Sequence, residues 1–365
     1  MQIQKEKLIA AHRGAVENPP NRFEKIILEP DADQSSPGFD STGWNPEEDT
    51  LPRTQFFKDL TQSIITQNQS PDLGFGVSIN PYRGCEHGCI YCYARPFHEY
   101  LGFSAGLDFE SKIMVKEDAP ELLRAELSAK KWQPQTIFMS GVTDCYQPVE
   151  RKLKLTRRCL EVLAEFRNPV FIVTKNHLVT RDIDLLAELA RHRAVGVWLS
   201  ITTLDTELRK VMEPRTSPPA ARLSALRELA AAGIPVGVNV APIIPGLTDH
   251  ETALILKAAA EAGATAAGYT VVRLPYAVAP LFEKWLETHF PDRKEKVLNR
   301  LRAMHGGKVY DAEWGKRFSG EGIFAEQIAR MFEVARRKAG IPDDGPELST
   351  AAFRRAGGVQ LPLFS

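Results

Sequence analysis

One short stretch contains three of the five cysteines in the chain: Pro81-Tyr82-Arg83-Gly84-Cys85-Glu86-His87-Gly88-Cys89-Ile90-Tyr91-Cys92-Tyr93-Ala94. The spacing Cys85-x3-Cys89-x2-Cys92 places three thiols in one loop, after an apolar run and before a helix-like segment. Thiolates are ligands of soft metals and of iron–sulfur clusters. A cubane cluster usually takes four cysteines, so three nearby ligands would leave one iron open to another molecule. The stretch therefore predicts a cluster site.

Two other interpretations of these cysteines are a zinc site and a disulfide framework. Cys85, Cys89 and Cys92 could bind zinc together with His87, but all four residues lie in one short loop. Zinc sites usually combine two ligand pairs from separate elements, which makes zinc the weaker alternative. Five cysteines, three of them crowded together, are typical of a reducing compartment and not of a secreted disulfide scaffold.

Length and charge restrict the class of protein. A chain of 365 residues is long enough for one α/β domain of barrel size with additions. The 46 Lys and Arg residues balance the 46 Asp and Glu residues, which excludes a global attraction to nucleic acid but not a local basic face. Because no stretch has the apolar length of a membrane span or a signal peptide, we expect a cytoplasmic protein without a membrane partner.

The hydrophobic pattern divides the chain into four parts. Residues 1–75 are rich in Pro, Asp, Ser and Gly and are predicted to be an irregular N-terminal extension. Residues 76–275 alternate short β-branched runs with amphipathic stretches, which predicts repeated βα units and a parallel sheet. Residues 276–342 are predicted to form a helical C-terminal cap, and residues 343–365 a flexible tail.

Six long strands are predicted in the central part, at 76–80, 136–140, 170–174, 195–201, 235–241 and 267–273, with a further edge strand at 112–115. The predicted helices between them lie near 120–130, 153–166, 182–191, 219–232 and 248–262. Six βα units fall short of the eight in a full TIM barrel. The periodicity is compatible both with a partial barrel and with a doubly wound open sheet.

The cysteine spacing, with Tyr91 before the third cysteine, resembles the signature of the radical S-adenosylmethionine (SAM) superfamily. This resemblance implies an open (β/α)6 partial TIM barrel with two cofactors, a [4Fe-4S] cluster and SAM. In the superfamily the open iron chelates SAM, which is cleaved to a 5′-deoxyadenosyl radical that abstracts hydrogen from a substrate. The resemblance also implies an electron donor such as flavodoxin or ferredoxin.

Polar residues follow successive predicted strands, where ligands of such folds bind. Their order is similar to that of the superfamily's SAM-binding segments. The resemblance implies that the segment from Ser140 to Asp144 holds the SAM amino group and that Lys175 pairs with its carboxylate. The full set of implied SAM contacts is Ser140, Gly141, Asp144, Lys175, Ser200, Thr202 and, beside the adenine, Ile244.

Within the superfamily, the chain most resembles the spore photoproduct lyase-like branch over roughly residues 77–275. The resemblance is carried by Asn80-Pro81-Tyr82-Arg83-Gly84-Cys85, Tyr91-Cys92-Tyr93-Ala94-Arg95, Thr143-Asp144 with Tyr146-Gln147-Pro148, Glu213-Pro214-Arg215 and Pro242-Ile243-Ile244-Pro245-Gly246. It implies a nucleic-acid substrate and a DNA repair or modification reaction. A peptide or small-molecule substrate is the alternative, and a non-catalytic iron–sulfur accessory of DNA replication or repair is the alternative of another class.

Three residues are candidates for radical transfer. Tyr91 and Tyr93 match two tyrosines that relay the radical in the lyase-like branch, although Tyr91 is also the aromatic that the cluster loop favours in general. Gly141 stands where the branch has a hydrogen-donating cysteine, so the donor does not carry over. Cys145 is the nearby candidate donor, and its alternative role is that of a small buried apolar residue.

The C-terminal stretch Gln360-Leu361-Pro362-Leu363-Phe364 resembles the peptide by which bacterial polymerases and repair proteins bind the sliding clamp. In such a peptide Gln360 would set the backbone register, while Leu361, Leu363 and Phe364 would fill apolar pockets. The alternative is a C-terminal strand or anchor that packs on the domain, because exposed leucine and phenylalanine side chains favour burial.

Overall fold

In the computed structural model, residues 13–23 and 53–355 are described, and their β-strands form two sheets. The strands are β1 (Gln55–Lys58), β2 (Ile65–Gln67), β3 (Val77–Ile79), β4 (Tyr82–Arg83), β5 (Lys112–Val115), β6 (Ile137–Met139), β7 (Val170–Thr174), β8 (Val195–Ser200), β9 (Val236–Ile243) and β10 (Ala266–Val271). All six predicted long strands are present, each within a few residues of its expected bounds. Most residues of β8 and β9 are buried, as in parallel sheets covered on both faces.

The larger sheet has the strand order β10-β9-β8-β7-β6-β3-β2. Its strands β3 and β6 to β10 are parallel neighbours, and only β2 pairs antiparallel, with β3. The parallel strands follow one another in chain order without the reversal that defines a doubly wound sheet. The predicted α/β class with a mostly parallel sheet is confirmed, and this order favours the barrel interpretation over the doubly wound one.

Helices connect the strands and form the C-terminal region. They are α1 (Leu107–Ser111), α2 (Ala119–Ser128), α3 (Glu150–Leu153), α4 (Leu155–Phe166), α5 (Ile183–Arg191), α6 (Thr206–Met212), α7 (Pro219–Ala231), α8 (Thr252–Glu261), α9 (Val278–His289), α10 (Pro291–Met304) and α11 (Gly322–Lys338). Helices α9 to α11 lie in the predicted helical part of the chain. Across residues 13–23 and 53–355, the structure contains no helix with the length and apolar character that a membrane crossing requires.

Two strands lie in the segment for which the sequence predicted irregular structure. β2 extends the large sheet, and β1 pairs with β5 in a second sheet of order β1-β5-β4. β5 was expected at an edge of the main sheet, and it is instead the central strand of this small one. β1 is exposed along its whole length, so it has no periodic apolar pattern that could have revealed it.

The end of the described chain also differs from its prediction. Residues 343–355 were expected to belong to a flexible tail, but they lie along the body of the protein. The Ser349 amide donates to the Arg193 carbonyl at 2.8 Å, and the Arg354 amide donates to the Phe166 carbonyl at 2.9 Å. Phe353 packs near Phe166, with ring centroids 6.3 Å apart. The clamp-like motif at 360–364 lies outside the described residues.

Candidate active site

A buried ion pair holds the cysteine loop in place. Arg95 and Glu110 are both fully buried, and their charged groups are 2.5 Å apart. The Arg95 guanidinium also donates to the Cys89 carbonyl from two nitrogens, at 3.0 and 2.9 Å. At the start of the loop, the Cys85 amide donates to the Phe109 carbonyl at 2.9 Å. The bonds from Arg95 are charge-assisted, and they restrict the loop strongly because the guanidinium donors have a fixed planar geometry.

The segment after β6 supports the same loop from its other side. The Gln147 side chain is fully buried, accepts from the Glu86 amide at 2.9 Å and donates to the Gly84 carbonyl at 3.2 Å. The Glu86 carboxylate accepts from the Val149 amide at 2.7 Å and pairs with Arg215 at 2.9 Å. The stretch around Gln147 and the cysteine loop are thus one structural unit, although about 60 residues separate them in the sequence.

The three thiols of the loop are free; Cys85 and Cys89 are buried, and Cys92 is partly buried. Burial raises the pKa of all three, while Arg95 and Lys175 act in the opposite direction on the pKa of Cys92. Among the described residues, no three or more His, Cys, Asp or Glu side chains are grouped to hold a metal ion. That criterion describes a single ion, whereas the cysteine ligands of a four-iron cluster bind different iron atoms and lie farther apart. Three thiols in one sheltered loop beside two cations fit such a ligand set.

His87 has a different role from the one that a zinc site would require. Its Nδ1 lies 3.3 Å from the Asp144 carboxylate, and its Nε2 lies 3.2 Å from the Asn176 side-chain amide. Both ring nitrogens are therefore engaged by protein groups. The structure uses His87 to connect the loop to the ends of β6 and β7, which weakens the alternative of a Cys3His zinc site.

Asp144 connects the ends of neighbouring strands, and both of its carboxylate oxygens already have hydrogen-bond partners within the protein. Its carboxylate accepts from the Thr174 hydroxyl at 2.7 Å and from the amides of Tyr146 and Lys175 at 2.8 Å each. Burial by itself would raise the pKa of Asp144, but His87 and these hydrogen bonds keep it below its usual value. The carboxylate thus stabilises the loop after β6 from within the protein, whereas the sequence predicted a contact with the SAM amino group.

The most connected carboxylate of the site is Glu213, which follows α6 and which the sequence did not assign. Its side chain is 1% exposed. One oxygen accepts from the Tyr91 phenol and from the Thr202 hydroxyl, and the other pairs with Arg222. Burial would raise the pKa of Glu213, but Arg222 and Lys175 hold it well below its usual range. Glu213 is therefore an ionised carboxylate in the protein interior.

Three predicted site residues converge on Glu213. The Lys175 ammonium lies 3.4 Å from this carboxylate, 2.8 Å from the Ala241 carbonyl and 5.7 Å from the centre of the Tyr91 ring. Burial, together with the charge of Glu213, raises the pKa of Tyr91 well above its ordinary value, so the phenol keeps its proton. Tyr91, Lys175 and Thr202 thus form one network next to the cysteine loop. The available sequence signal for Glu213 was the stretch Glu213-Pro214-Arg215.

Tyr93 contacts Gly141, the residue that stands where the resembled branch has its donor cysteine. Its phenol donates to the Gly141 carbonyl at 2.6 Å, and the residue is 40% exposed. Ser140 adopts a left-handed conformation, with a φ of 84° that is uncommon for a residue other than glycine. Its hydroxyl accepts from the Cys145 amide at 3.0 Å and stabilises this turn. The turn after β6 therefore presents the backbone of Gly141 to Tyr93.

The other predicted residues lie in the protein interior. Cys145 and Ile244 are fully buried members of the main hydrophobic core, and burial raises the pKa of the Cys145 thiol far above its usual range. As the candidate hydrogen donor, Cys145 would have to face the site, and its placement instead matches the alternative role of a small apolar residue. Ser200 is 5% exposed, and its carbonyl accepts from Arg222 at 2.8 Å.

The N-terminal segment 13–23 lies against the cysteine loop. The amides of Gly14 and Ala15 donate to the Glu110 carboxylate at 2.9 and 2.8 Å. A Cβ atom on Gly14 would lie 1.7 Å from the Gly88 carbonyl oxygen, which is backbone and cannot rotate away. Only glycine allows the two chain segments to approach each other so closely.

We expect Gly14→Ala to destabilise the protein by about 1–3 kcal/mol, because the added methyl group forces the two backbones apart. The measurement is the free energy of unfolding in urea, combined with limited proteolysis of the N-terminal segment. Gly74→Ala is the matched control, since a Cβ at position 74 would have no neighbour within 4 Å. Equal stabilities of the two variants would contradict this account of Gly14.

Comparisons with known proteins agree with this architecture. Residues 79–259 match the model of the radical SAM superfamily. An uncharacterized protein of Mycobacterium tuberculosis is 38% identical over 235 residues, which cover 64% of this chain and 68% of that protein. A radical SAM Nalpha-GlyT isomerase of Pseudomonas phage M6 is 25% identical over 234 residues, 63% of this chain and 46% of the phage protein.

Among solved structures, spore photoproduct lyase complexed with dinucleoside spore photoproduct has a similar fold. The TM-score is 0.53 at 17% sequence identity, and the match covers 78% of this chain and 77% of the lyase. At this level of identity the likeness concerns the fold. Together with the superfamily match across the cysteine loop and the strands that follow it, these findings show that the chain belongs to the radical SAM superfamily and is a radical SAM enzyme.

Proposed function

We propose that this enzyme uses a [4Fe-4S] cluster to cleave SAM and that it acts on nucleic acid, in a repair or modification reaction of the spore photoproduct lyase-like branch. One observation carries the proposal. Tyr91 of the cysteine loop and Lys175 at the end of β7 both contact the Glu213 carboxylate. This arrangement places thiols, a cation and a protonated phenol in one sheltered region.

Cys85, Cys89 and Cys92 would hold the cluster. When bound, the cluster supplies the electron that cleaves SAM to methionine and a 5′-deoxyadenosyl radical. Lys175 and Thr202 are our proposed contacts to the polar end of SAM, with Ser200 and the turn at Ser140 and Gly141 completing its surroundings. Asp144, which accepts from the Lys175 amide, and the buried Ile244 would support these residues from the protein interior. For Lys175 to bind a carboxylate, its ammonium would share or exchange the contact that it makes with Glu213.

The proposal of a nucleic-acid substrate rests on the motifs that the chain shares with the lyase-like branch and on the shared fold. The solved lyase was complexed with a dinucleoside, and its fold covers 78% of this chain. A peptide or a small molecule is the competing substrate class. An excess of flavodoxin or of a chemical reductant would supply the electrons in a test of either class.

The test is anaerobic reconstitution with iron and sulfide, followed by reduction in the presence of SAM and candidate substrates. We expect release of 5′-deoxyadenosine and its stimulation by DNA or RNA, with UV-irradiated and untreated strands compared. Peptides and metabolite mixtures serve as parallel arms. Stimulation by one of these arms without stimulation by any nucleic acid would replace the proposed substrate class.

The radical relay is proposed to pass through Tyr91 and Tyr93, with Tyr93 next to Gly141. Because Cys145 is fully buried, we expect Cys145→Ala to leave both SAM cleavage and completed turnover within about twofold of the parent enzyme. The measurement compares 5′-deoxyadenosine release with product formation. A selective loss of product formation would instead identify Cys145 as the hydrogen donor.

We also propose that Gln360, Leu361, Leu363 and Phe364 bind a bacterial sliding clamp, on the resemblance of their sequence to clamp-binding peptides. The experiment is a pull-down of purified clamp by the full chain and by a chain that ends at residue 359. A second variant, with Leu363 and Phe364 both changed to alanine, removes the apolar contacts without shortening the chain. Clamp binding that survives both changes excludes this site.

A further inference from the structure

Beside the site, exposed aromatic rings stack with arginine side chains. We name this region the aromatic–arginine face and define it by Arg22, Phe23, Tyr93, Tyr100, Arg273 and Tyr276. Phe23, Tyr100 and Tyr276 are 52%, 67% and 65% exposed, although large aromatic side chains normally contribute to a core. An exposed group of this kind usually marks a binding surface.

Arg22 organises the outer half of this face. Its guanidinium carbon lies 3.9 Å from the centre of the Tyr276 ring and 4.7 Å from that of Phe23. The Phe23 and Tyr100 rings are 4.8 Å apart, and Arg22 is fixed by an ion pair with Glu99 at 2.8 Å. The rings are therefore held in a defined arrangement while their outer faces remain open to solvent.

Arg273 occupies the inner half of the face. Its guanidinium carbon lies 4.2 Å from the centre of the Tyr93 ring and 4.5 Å from that of Phe318. Within residues 13–23 and 53–355, Arg273 forms no ion pair with a carboxylate. A cation that is half-buried between two rings and lacks an acidic partner is suited to bind an anion.

The backbone at Tyr276 has a conformation that is unusual for a bulky, exposed residue. Its φ is 49°, in the left-handed region where bulky residues are rare, and its side chain is 65% exposed. Such a conformation is strained in a residue other than glycine. Strained residues with exposed side chains are concentrated at functional sites.

The face continues directly into the candidate active site. Tyr93 follows Cys92, and its phenol reaches the Gly141 carbonyl at 2.6 Å. Because Arg273 stacks on the Tyr93 ring, its guanidinium lies beside the residue that follows Cys92. Tyr276 comes three residues after Arg273, which limits the distance between their Cα atoms to about 11 Å. A chain-like ligand lying on the face would thus have one end at the cysteine loop.

We propose that the aromatic–arginine face binds an unstacked nucleic-acid strand, with bases on the rings of Tyr276, Tyr100 and Phe23 and a phosphate at Arg273. Aromatic rings with open faces bind bases of any sequence, and arginine adds both charge and stacking. A duplex offers no free base faces, so the face favours single-stranded or extruded nucleotides. This inference rests on the proposed function, because it assigns the nucleic-acid partner to a surface.

The test measures fluorescence anisotropy of a labelled dT12 strand, an abasic strand of the same length and a matched duplex, with the full chain and no SAM. We expect the full chain to prefer dT12 to the duplex. We expect Tyr276→Ala to weaken dT12 binding roughly 10-fold and to leave the affinity for the abasic strand unchanged, since only stacking is lost. We expect Arg273→Gln to weaken both and to reduce the salt dependence of binding.

The controls are Phe56→Ala, which removes a 50% exposed ring on β1, and Arg337→Gln, which removes an exposed charge on α11. Thermal melting of every variant shows whether it folds. Equal dT12 affinities for the face variants and the controls would overturn the inference, even if nucleic acid stimulates SAM cleavage. If the face variants lose binding but no nucleic acid stimulates cleavage, the face stands as a binding surface and the proposed substrate fails.

Discussion

Replacing Cys89 by alanine is expected to abolish the iron–sulfur chromophore and SAM cleavage together. The proposed cluster would have three protein ligands in this loop, and two thiols would not be enough to hold it. Loss even of a residue that only supports a ligand commonly costs 10- to 100-fold, so we expect more than about 100-fold here. Iron content, the visible spectrum after anaerobic reconstitution and 5′-deoxyadenosine release are the measurements.

Cys159→Ala provides the matched control for this substitution. Cys159 is also buried, but it lies in the hydrophobic core on α4. We expect this variant to bind iron as the parent does and to lose only about 1 kcal/mol of stability. If Cys89→Ala keeps a full complement of iron, the assignment of the cluster to this loop is wrong.

The second large effect is expected for Glu213→Gln. This change keeps the size of the side chain but leaves the Arg222 guanidinium, 1% exposed, without its counter-charge. Removing one partner of a buried ion pair typically costs about 3–5 kcal/mol. We therefore expect a loss of that size in the free energy of unfolding at neutral pH, measured in urea. Disruption of the Tyr91 and Lys175 contacts should lower SAM cleavage as well.

Glu228→Gln is the control for charge loss at an exposed pair. Glu228 lies 2.9 Å from His177, and both side chains are well exposed, so the cost should be within about 1 kcal/mol. Similar losses of stability in the two variants would contradict the importance that we assign to burial at Glu213.

The pH dependence of the parent protein's free energy of unfolding should reflect the ionisation of Glu213. Because the pKa of Glu213 is lowered in the folded state, its stabilising effect is present above the unfolded pKa of about 4.3. That effect is lost as the pH falls towards the folded value, since the unfolded chain then takes up the proton first. Glu213→Gln should therefore show a shallower loss of stability between about pH 5 and pH 2 than the parent.

Much of the fold could be predicted from local patterns. The parallel strands are short, apolar and β-branched, as in Val170–Thr174, and buried strands of this kind have a clear composition. The two strands at 55–58 and 65–67 could not be found in this way. They are short and mostly exposed, and they exist because neighbouring strands offer free backbone partners.

The sequence by itself determined the fold class, the superfamily and the cysteine loop, because the spacing of cysteines and of apolar residues is a local property. Only the tertiary structure decided how the ends of separate strands combine. In the structure, Glu213 contacts Tyr91, Lys175 and Arg222. The Asp144 carboxylate accepts hydrogen bonds from other protein groups, and Cys145 is buried in the core. These outcomes depend on which residues, far apart in sequence, share one low-dielectric space, and no spacing along the chain specifies that.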